Sequence, residues 1–372
     1  MRVPFIDLRR TNDPIRSGAE QILDRAISES MFVGGSLLDE FERQFGKYCG
    51  AGHAVGTSTG TSALRLALQA CGVGAGDEVI TVPNTFIATA EAISQAGARP
   101  VFVDVEARTG NIDVSLLRQR ITARTKAVIP VHLCGCPCDM AGVMDAVAGK
   151  DIGVVEDACQ AHGAEYRVGG VWARAGSQGK AGCFSFYPTK NLGAFGEGGM
   201  VVTSDAGVAD RVRMLRDHGQ KAKNVHEIEG SNERLDSIQA AILNAKLAHL
   251  DEWNRERRAL AEKYDKLLAG APVLTCPPGP ESRHVYHLYV IRTEKRDALQ
   301  EFLKSKGVGT AIHYPTPIHL QPAYKHLGYR LGDFPVAERW AREILSLPMF
   351  VGMRDEEVEY AAAAVVEFFQ SR

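Results

Sequence analysis

The segment Cys183-Phe-Ser-Phe-Tyr-Pro-Thr-Lys190-Asn-Leu-Gly sets a lysine just past an apolar run and just before a glycine-rich stretch, with Ser185 five residues upstream. Most lysines are solvated surface charges. One held at the end of a buried strand loses hydration, its pKa falls, and its neutral amine can condense with a carbonyl. A second segment, Val154-Val-Glu-Asp157-Ala-Cys-Gln160-Ala-His162-Gly, puts Asp157 just past a predicted strand. Ligands of open α/β sheets bind at such strand ends, although an Asp there serves equally well as a cap of the next turn. A third, Val55-Gly-Thr-Ser-Thr-Gly60-Thr61-Ser, reads as strand, turn and helix start. Its first backbone N–H groups suit a phosphate, or simply belong to a well-capped helix. It matches neither of the glycine-rich nucleotide motifs. In a fourth, Thr81-Val-Pro-Asn-Thr-Phe86, the phenyl ring either lies on an aromatic ligand or opens a helix from within the core.

One ligand satisfies all four segments: it needs a carbonyl for the lysine, a phosphate, an aromatic ring and a basic ring nitrogen. Pyridoxal 5′-phosphate has these groups, and an anionic Asp beside its pyridine nitrogen favours the protonated, electron-accepting ring. Cys134, Cys136 and Cys138 form C-x-C-x-C. They lack a second ligating cluster, so the expectation is free thiols in a loop and no metal.

These segments need a scaffold. From about residue 50 to 215, short apolar runs alternate with helical patterns. Strands are expected at His53–Thr57, Glu78–Val82, Arg99–Val105, Lys126–Leu133, Ile152–Val155, Gly182–Phe186 and Gly199–Thr203. Helices are expected near 63–68, 86–96, 112–121 and 140–147. That alternation predicts an α/β fold, a mainly parallel sheet with helices on both faces. Residues 232–268 have helical composition throughout, longer than the usual helix of ~8–20 residues, so a break is expected near Trp253. Beyond it, Pro272–Pro280 reads as a loop, His284–Ile291 as a strand and Arg296–Lys306 as a helix, the start of a smaller α+β C-terminal domain. The division is expected between a large domain, 1–247, which includes an N-terminal arm, and a small domain, 248–372.

The chain has 372 residues, 43 Lys plus Arg against 45 Asp plus Glu, 45% apolar and 24% charged residues. These are ordinary globular values, with no general attraction for nucleic acid or anionic membrane. No apolar run reaches the ~20 residues of a membrane span, and no signal-like segment opens the chain, so a cytoplasmic protein is expected.

The chain also resembles a known family along nearly its whole length. PFIDL, FVGGSLLDEFERQFGKYCGAGHAVG, TFIATAEAI, EDACQAHGA, FSFYPTKNLGAFGEGG, GSNERLDSIQAAIL and HYPTPIHLQPAY are similar to segments of the DegT/DnrJ/EryC1/StrS sugar aminotransferases. The resemblance implies the aspartate-aminotransferase-like fold (fold type I) and pyridoxal phosphate, with pyridoxamine phosphate as its intermediate form. It implies Lys190 as the Schiff-base lysine, Asp157 as partner of the ring nitrogen and Gln160 at the ring hydroxyl. Ser185, Gly60 and Thr61 fall to the phosphate, and Phe86 to the ring face. Asn232 matches an asparagine that reaches the phosphate of a neighbouring subunit's cofactor, which implies a homodimer with shared sites; it would also suit the N-cap of the long helix. Two departures stand out: the cysteines in the 132–139 loop, and a longer, more basic segment at 166–180.

The activity implied is transfer of an amino group from an amino acid, L-glutamate first, to a nucleotide-linked keto sugar. The stretch 310–321 resembles that of enzymes acting at C-3 of dTDP-linked 3-keto-6-deoxyhexoses. A 4-keto sugar or a UDP-2-acetamido-3-keto sugar is the alternative. Tyr187, His313, Tyr314 and His319 are the expected substrate contacts, in a mouth made locally basic for a diphosphate. Two other readings are a PLP-dependent sugar dehydratase, against which the presence of Lys190 argues, and a non-catalytic sensor of the same fold.

Overall fold

The structure is a computed structural model that describes residues 1–279 and 281–370. The strands in chain order are β1 (His53–Thr57), β2 (Glu78–Thr81), β3 (Arg99–Phe102), β4 (Thr125–Val128), β5 (Gly153–Asp157), β6 (Glu165–Val168), β7 (Val171–Arg174), β8 (Ala181–Ser185), β9 (Gly199–Thr203), β10 (Gln220–Ala222), β11 (Val225–His226), β12 (Leu274–Thr275), β13 (Ser282–Arg283), β14 (Tyr289–Arg292) and β15 (Ile344–Leu347). The α-helices are α1 (Leu8–Asn12), α2 (Arg16–Ser28), α3 (Ser36–Cys49), α4 (Gly60–Ala70), α5 (Ala88–Gln95), α6 (Val114–Arg120), α7 (Met140–Val147), α8 (Ala206–Arg216), α9 (Ser237–Leu247), α10 (Leu250–Leu267), α11 (Arg296–Ser305), α12 (Pro335–Glu343) and α13 (Asp355–Gln370).

Seven strands form the central sheet in the order β1-β9-β8-β5-β4-β2-β3. Contacts β8/β5, β5/β4, β4/β2 and β2/β3 are parallel, and only β9 runs against its neighbours. Both faces are buried, so the strands read as apolar runs whose alternate residues serve different cores. Val154, Val128 and Val202 join a core with Phe41 and Phe45 of α3 and Met140 and Val143 of α7. Val155, Ala127 and Val201 join a second core with Leu64 and Leu66 of α4, Ala92 of α5 and Val212 of α8. Beneath the first face, the rings of Phe41, Phe45, Phe184 and Phe186 pack edge to face at 5.0–5.4 Å.

The stretch 232–268 is two helices. The break falls at Ala248–His249, upstream of Trp253, which lies inside α10 with its ring stacked on His249 at 5.6 Å. Residues 232–236 are not helical; Asn232 instead bridges to Asp217, and the helix starts at Ser237. Within the expected loop 272–280, Leu274–Thr275 pairs with β14; Pro280 lies outside the described residues. The expected strand 284–291 is regular only from Tyr289, because Tyr286 adopts a positive φ of 44° that breaks extended backbone. The longer 166–180 segment is the hairpin β6–β7, to which β13 adds a third strand.

A third core joins α10, α11 and α13 to the sheet β12-β14-β15. The N-terminal arm packs there as well: Val3 is fully buried in this core and bridges to Val308 in parallel. Arg10 holds Glu357 of α13 through two hydrogen bonds of 2.7 and 2.8 Å. Among the described residues no helix is long and apolar enough to cross a membrane.

Candidate active site

The C-terminal ends of β1, β2, β5 and β8 surround a cavity of about 520 Å3. Ten residues singled out from the sequence line it: Gly60, Thr61, Phe86, Asp157, Gln160, Ser185, Tyr187, Lys190, His313 and Tyr314. Asp157 is the last residue of β5 and is buried. Its Oδ2 accepts from Thr89 Oγ1 at 2.8 Å and its Oδ1 from the backbone N–H of Cys159 at 3.2 Å. It therefore caps its turn and presents an oriented carboxylate to the cavity. Thr89 is held in turn by Thr85, 3.1 Å away.

Lys190 follows β8, with its backbone N–H on Tyr187 O at 2.8 Å. Its side chain keeps some surface on the cavity but is otherwise closely enclosed by protein. Burial lowers its pKa below the ordinary 10.5, and the negative charge of Asp157 opposes that shift only in part.

At the start of α4, Thr59 Oγ1 accepts from Ser62 N at 3.0 Å. This leaves the first-turn amides of Gly60 and Thr61 for a ligand at the positive end of the helix. The turn is tight: a Cβ on Gly60 would stand 2.5 Å from Ser185 Cβ, so only glycine lets the helix start approach the Ser185 hydroxyl. Behind it, Glu233 accepts from Ser58 Oγ and Ser62 Oγ, both at 2.5 Å, and from Arg65 at 2.6 Å.

Phe86 is 53% exposed, so it is no core residue; its ring lies 5.6 Å from that of Tyr314, tilted by 38°. Gln160 Oε1 accepts from Cys134 N at 2.6 Å, which turns its Nε2 towards Tyr314 Oη, 3.2 Å away. His313 Nδ1 meets Ser346 Oγ at 2.9 Å, and its ring stacks on Phe5 at 5.8 Å. Burial, and then the nearby Lys190 charge, lower its pKa to about 4, so it is neutral at pH 7. One amine, an oriented carboxylate, an exposed ring and orphan amides thus line one cavity, and pyridoxal phosphate fits the residues present.

Two expected residues lie elsewhere. His319 is buried away from the cavity, with Nε2 on Glu338 Oε1 at 3.1 Å and its ring edge-on to Phe334. The backbone decides this: Ile318 N–H donates to Pro83 O at 2.7 Å, and the turn Ile318–Leu320 then aims His319 at α12. Asn232 does not line the cavity of its own chain. The lining is also not basic as expected: among the described residues Lys190 is its only Lys or Arg, and Glu197 accompanies it. The three cysteines 134, 136 and 138 are buried thiols; burial pushes Cys136 up to about 12.

The sequence reading missed His287, which lines the cavity. Its state follows from a chain of amides. Asn254 Nδ2 donates to His162 O at 2.8 Å, and Asn191 Nδ2 donates to Val285 O at 3.0 Å and to Asn254 Oδ1 at 2.9 Å. Backbone carbonyls only accept, so both amide orientations are set, and Asn191 Oδ1 faces His287 Nδ1 at 3.3 Å as an acceptor. His287 Nδ1 therefore carries the proton. Burial, reinforced by Lys190, keeps the ring neutral, and Nε2 is an acceptor. No local pattern in HVYHLYVI marks this residue.

Two predictions follow from this geometry. Gly60→Ala should weaken pyridoxal phosphate binding tenfold or more, a loss of about 1.4 kcal/mol, because the added methyl group occupies the approach to Ser185; equilibrium dialysis measures it, and unchanged affinity would refute the cradle. Because the folded pKa of Lys190 is depressed, the unfolded chain binds more protons between that pKa and 10.5. The stability of cofactor-free protein should then rise with pH through that window, and Lys190→Met should lack this component. Urea unfolding of both proteins from pH 7 to pH 10.5 reads the difference.

The family description of the DegT/DnrJ/EryC1/StrS aminotransferases matches residues 15–366. The chain is 43% identical to a "Pleiotropic regulatory protein" of Geobacillus stearothermophilus over 100% of this chain and 99% of the relative. It is 44% identical to the dTDP-3-amino-3,4,6-trideoxy-alpha-D-glucose transaminase of Streptomyces venezuelae, over 94% of this chain and 91% of that one. Other relatives have names that specify UDP-linked sugars oxidised at C-3. The crystal structure of S. venezuelae DesV in complex with a ketimine intermediate superposes with a TM-score of 0.96 at 43% identity, covering 99% of both chains. Other similar structures are of sugar aminotransferases in PLP and PMP forms. The chain is a PLP-dependent transaminase, and it belongs to the DegT/DnrJ/EryC1/StrS aminotransferase family.

Proposed function

We propose that this enzyme moves an amino group from an amino acid, L-glutamate, to C-3 of a nucleotide-linked keto sugar, a dTDP-linked 3-keto-6-deoxyhexose. The observation that carries the reading is the convergence of Lys190, Asp157, Ser185 and the Gly60–Thr61 amides on one cavity at the strand ends. The relatives named as nucleotide-sugar transaminases support the substrate class. UDP-linked sugars oxidised at C-3 are the second reading, favoured by relatives at 42% and 36% identity.

Pyridoxal phosphate, when bound, supplies an electrophilic carbonyl and a ring that accepts the electron pair released at the donor's α-carbon. The protein does the rest. The amides of Gly60 and Thr61 and the Ser185 hydroxyl would bind the phosphate, while Asp157, fixed by Thr89, would hold a proton on the ring nitrogen. Phe86 and Tyr314 would border the ring, and Gln160 Nε2 would donate to its hydroxyl. Lys190 Nζ, whose charged form burial disfavours, would take the proton from the donor's α-carbon and deliver it to the cofactor's carbonyl carbon. His287 Nε2 accepts a hydrogen bond in the cavity, from the lysine amine or from the ammonium of the donor. Tyr187 and His313 contact the sugar.

The working unit in this reading is a homodimer. Among the described residues one chain's lining offers a diphosphate no Lys or Arg other than Lys190; in this reading a second copy completes the site, its cofactor phosphate reached by Asn232.

Single-turnover kinetics test the assignment. Lys190→Ala should abolish both half-reactions. His313→Ala should slow the half-reaction with keto sugar about tenfold or more, as loss of a hydrogen bond worth ~1.4 kcal/mol would, and leave the half-reaction with glutamate nearly unchanged. Equal loss in both halves would make His313 a support of the cofactor or fold. Rates with dTDP- and UDP-linked 3-keto sugars decide between the two readings. Mixing Lys190→Ala with Asn232→Ala chains should restore activity through heterodimers that carry one intact site. An active monomer in sedimentation at assay concentration would overturn the shared site.

A further inference from the structure

On the far side of Lys190 from the cofactor cavity lies a second, much smaller cavity of about 10 Å3, bounded by the N-terminal arm, the loop 188–193, α9 and α10. That volume holds about one water-sized sphere. Two cationic side chains, Lys246 and Arg257, line it beside Lys190, and among the described residues no carboxylate does. Lys246 and Arg257 are 2% and 4% exposed. Neither forms an ion pair among the described residues.

Their hydrogen bonding is incomplete as well. Lys246 Nζ, with three donor protons, makes one hydrogen bond, to Gly193 O at 2.6 Å. The ring of Phe195, 4.6 Å from that nitrogen, offsets only part of its charge. Arg257 Nη1 donates to the carbonyls of Tyr286, His287 and Met349 at 3.0–3.4 Å. Arg257 Nε is buried with no partner. Burial lowers Lys246 to about 8 and Arg257 to about 10, which leaves both protonated at pH 7. Two buried cations without a counter-charge are costly, and a water molecule in the cavity would solvate them without neutralising either.

We propose that this cavity binds one small monovalent anion, a halide such as chloride, held between Arg257 Nε and Lys246 Nζ. The size of the cavity excludes an amino acid carboxylate with its chain, so the site is distinct from that of the amino donor. The apolar walls, Ile6, Leu8 and Phe350, keep bulk water away and strengthen the attraction. One bound ion would tie the arm, the Lys190 loop and α10 together.

Bromide is the probe. Crystals of the holoenzyme soaked in sodium bromide should show an anomalous peak within hydrogen-bond reach of Arg257 Nε and Lys246 Nζ. In solution, the melting temperature of the holoenzyme should rise and saturate as chloride replaces gluconate at constant ionic strength. Lys246→Met keeps the apolar stem and removes one cation; its apparent Kd for chloride should be weaker by about tenfold or more. Absence of the peak would mean a water molecule and would overturn the proposal. So would a peak seen only at soaking concentration with no chloride dependence in solution, or an unchanged chloride Kd in Lys246→Met. Should that variant fail to fold, the wild-type peak and melting series decide by themselves.

Discussion

One buried carboxylate holds the site's framework together. Glu156 and Asp157 are neighbours at the end of β5, and strand geometry sends them to opposite faces of the sheet. Glu156 is fully buried, and burial alone would raise its pKa. Five donors outweigh that and keep it below the ordinary value: His132 Nε2, Tyr166 Oη, and the backbone N–H groups of Gly176, Gln178 and Gly179, all at 2.7–2.9 Å. These bonds gather the 132–138 loop, the hairpin β6–β7 and the approach to β8 around one strand end. The tautomer of His132 is set as well: its Nδ1 accepts from Cys138 N at 3.0 Å, so Nε2 carries the proton donated to Glu156. With five donors pinning its neighbour, Asp157 has little freedom to leave the cavity. A buried charge satisfied this completely is stable in place, and any one donor lost would leave it under-solvated.

The same logic recurs around the cavity at lower cost. Thr89 orients Asp157, Cys134 N–H orients Gln160, the Asn254–Asn191 relay orients His287, and Glu233 gathers the serines beneath the first turn of α4. None of these supporting groups needs to touch a ligand. They convert flexible side chains into groups with one donor or acceptor direction, the preorganisation that proton transfer and anion binding both require. The 132–138 loop illustrates how far this goes. Asn111 Nδ2 bonds Cys136 O and Pro137 O, both at 3.0 Å, so three cysteines in close spacing become packed, protonated wall residues of a supporting loop.

How much was legible before the fold depended on how local each signal is. Strand β1 and helix α7 fall where hydrophobic periodicity put them, because the period is a property of adjacent residues. Lys190, Asp157, Ser185 and the Gly60 turn were legible for the same reason: each sits at a strand end or helix start, and in an open parallel sheet those ends meet on one edge. The break of the 232–268 stretch was displaced because helical composition is uniform across Ala248–His249, and packing around Trp253 extended α10 through the expected break.

What only tertiary structure decided was direction and state. His313 and His319 share one proline-punctuated segment and look equivalent in sequence. One reaches the cavity, while the hydrogen bond of Ile318 N–H to Pro83 O and that of His319 Nε2 with Glu338 turn the other away, both long-range contacts. The neutrality of His313, the tautomer of His287 and the unpaired charges of Lys246 and Arg257 follow from burial and from partners far along the chain. The sequence by itself determined which elements form and which residues stand at their ends, since caps, periods and strand ends are local. Where each side chain points, and which protonation state it keeps there, is set by groups that meet only when the chain is folded.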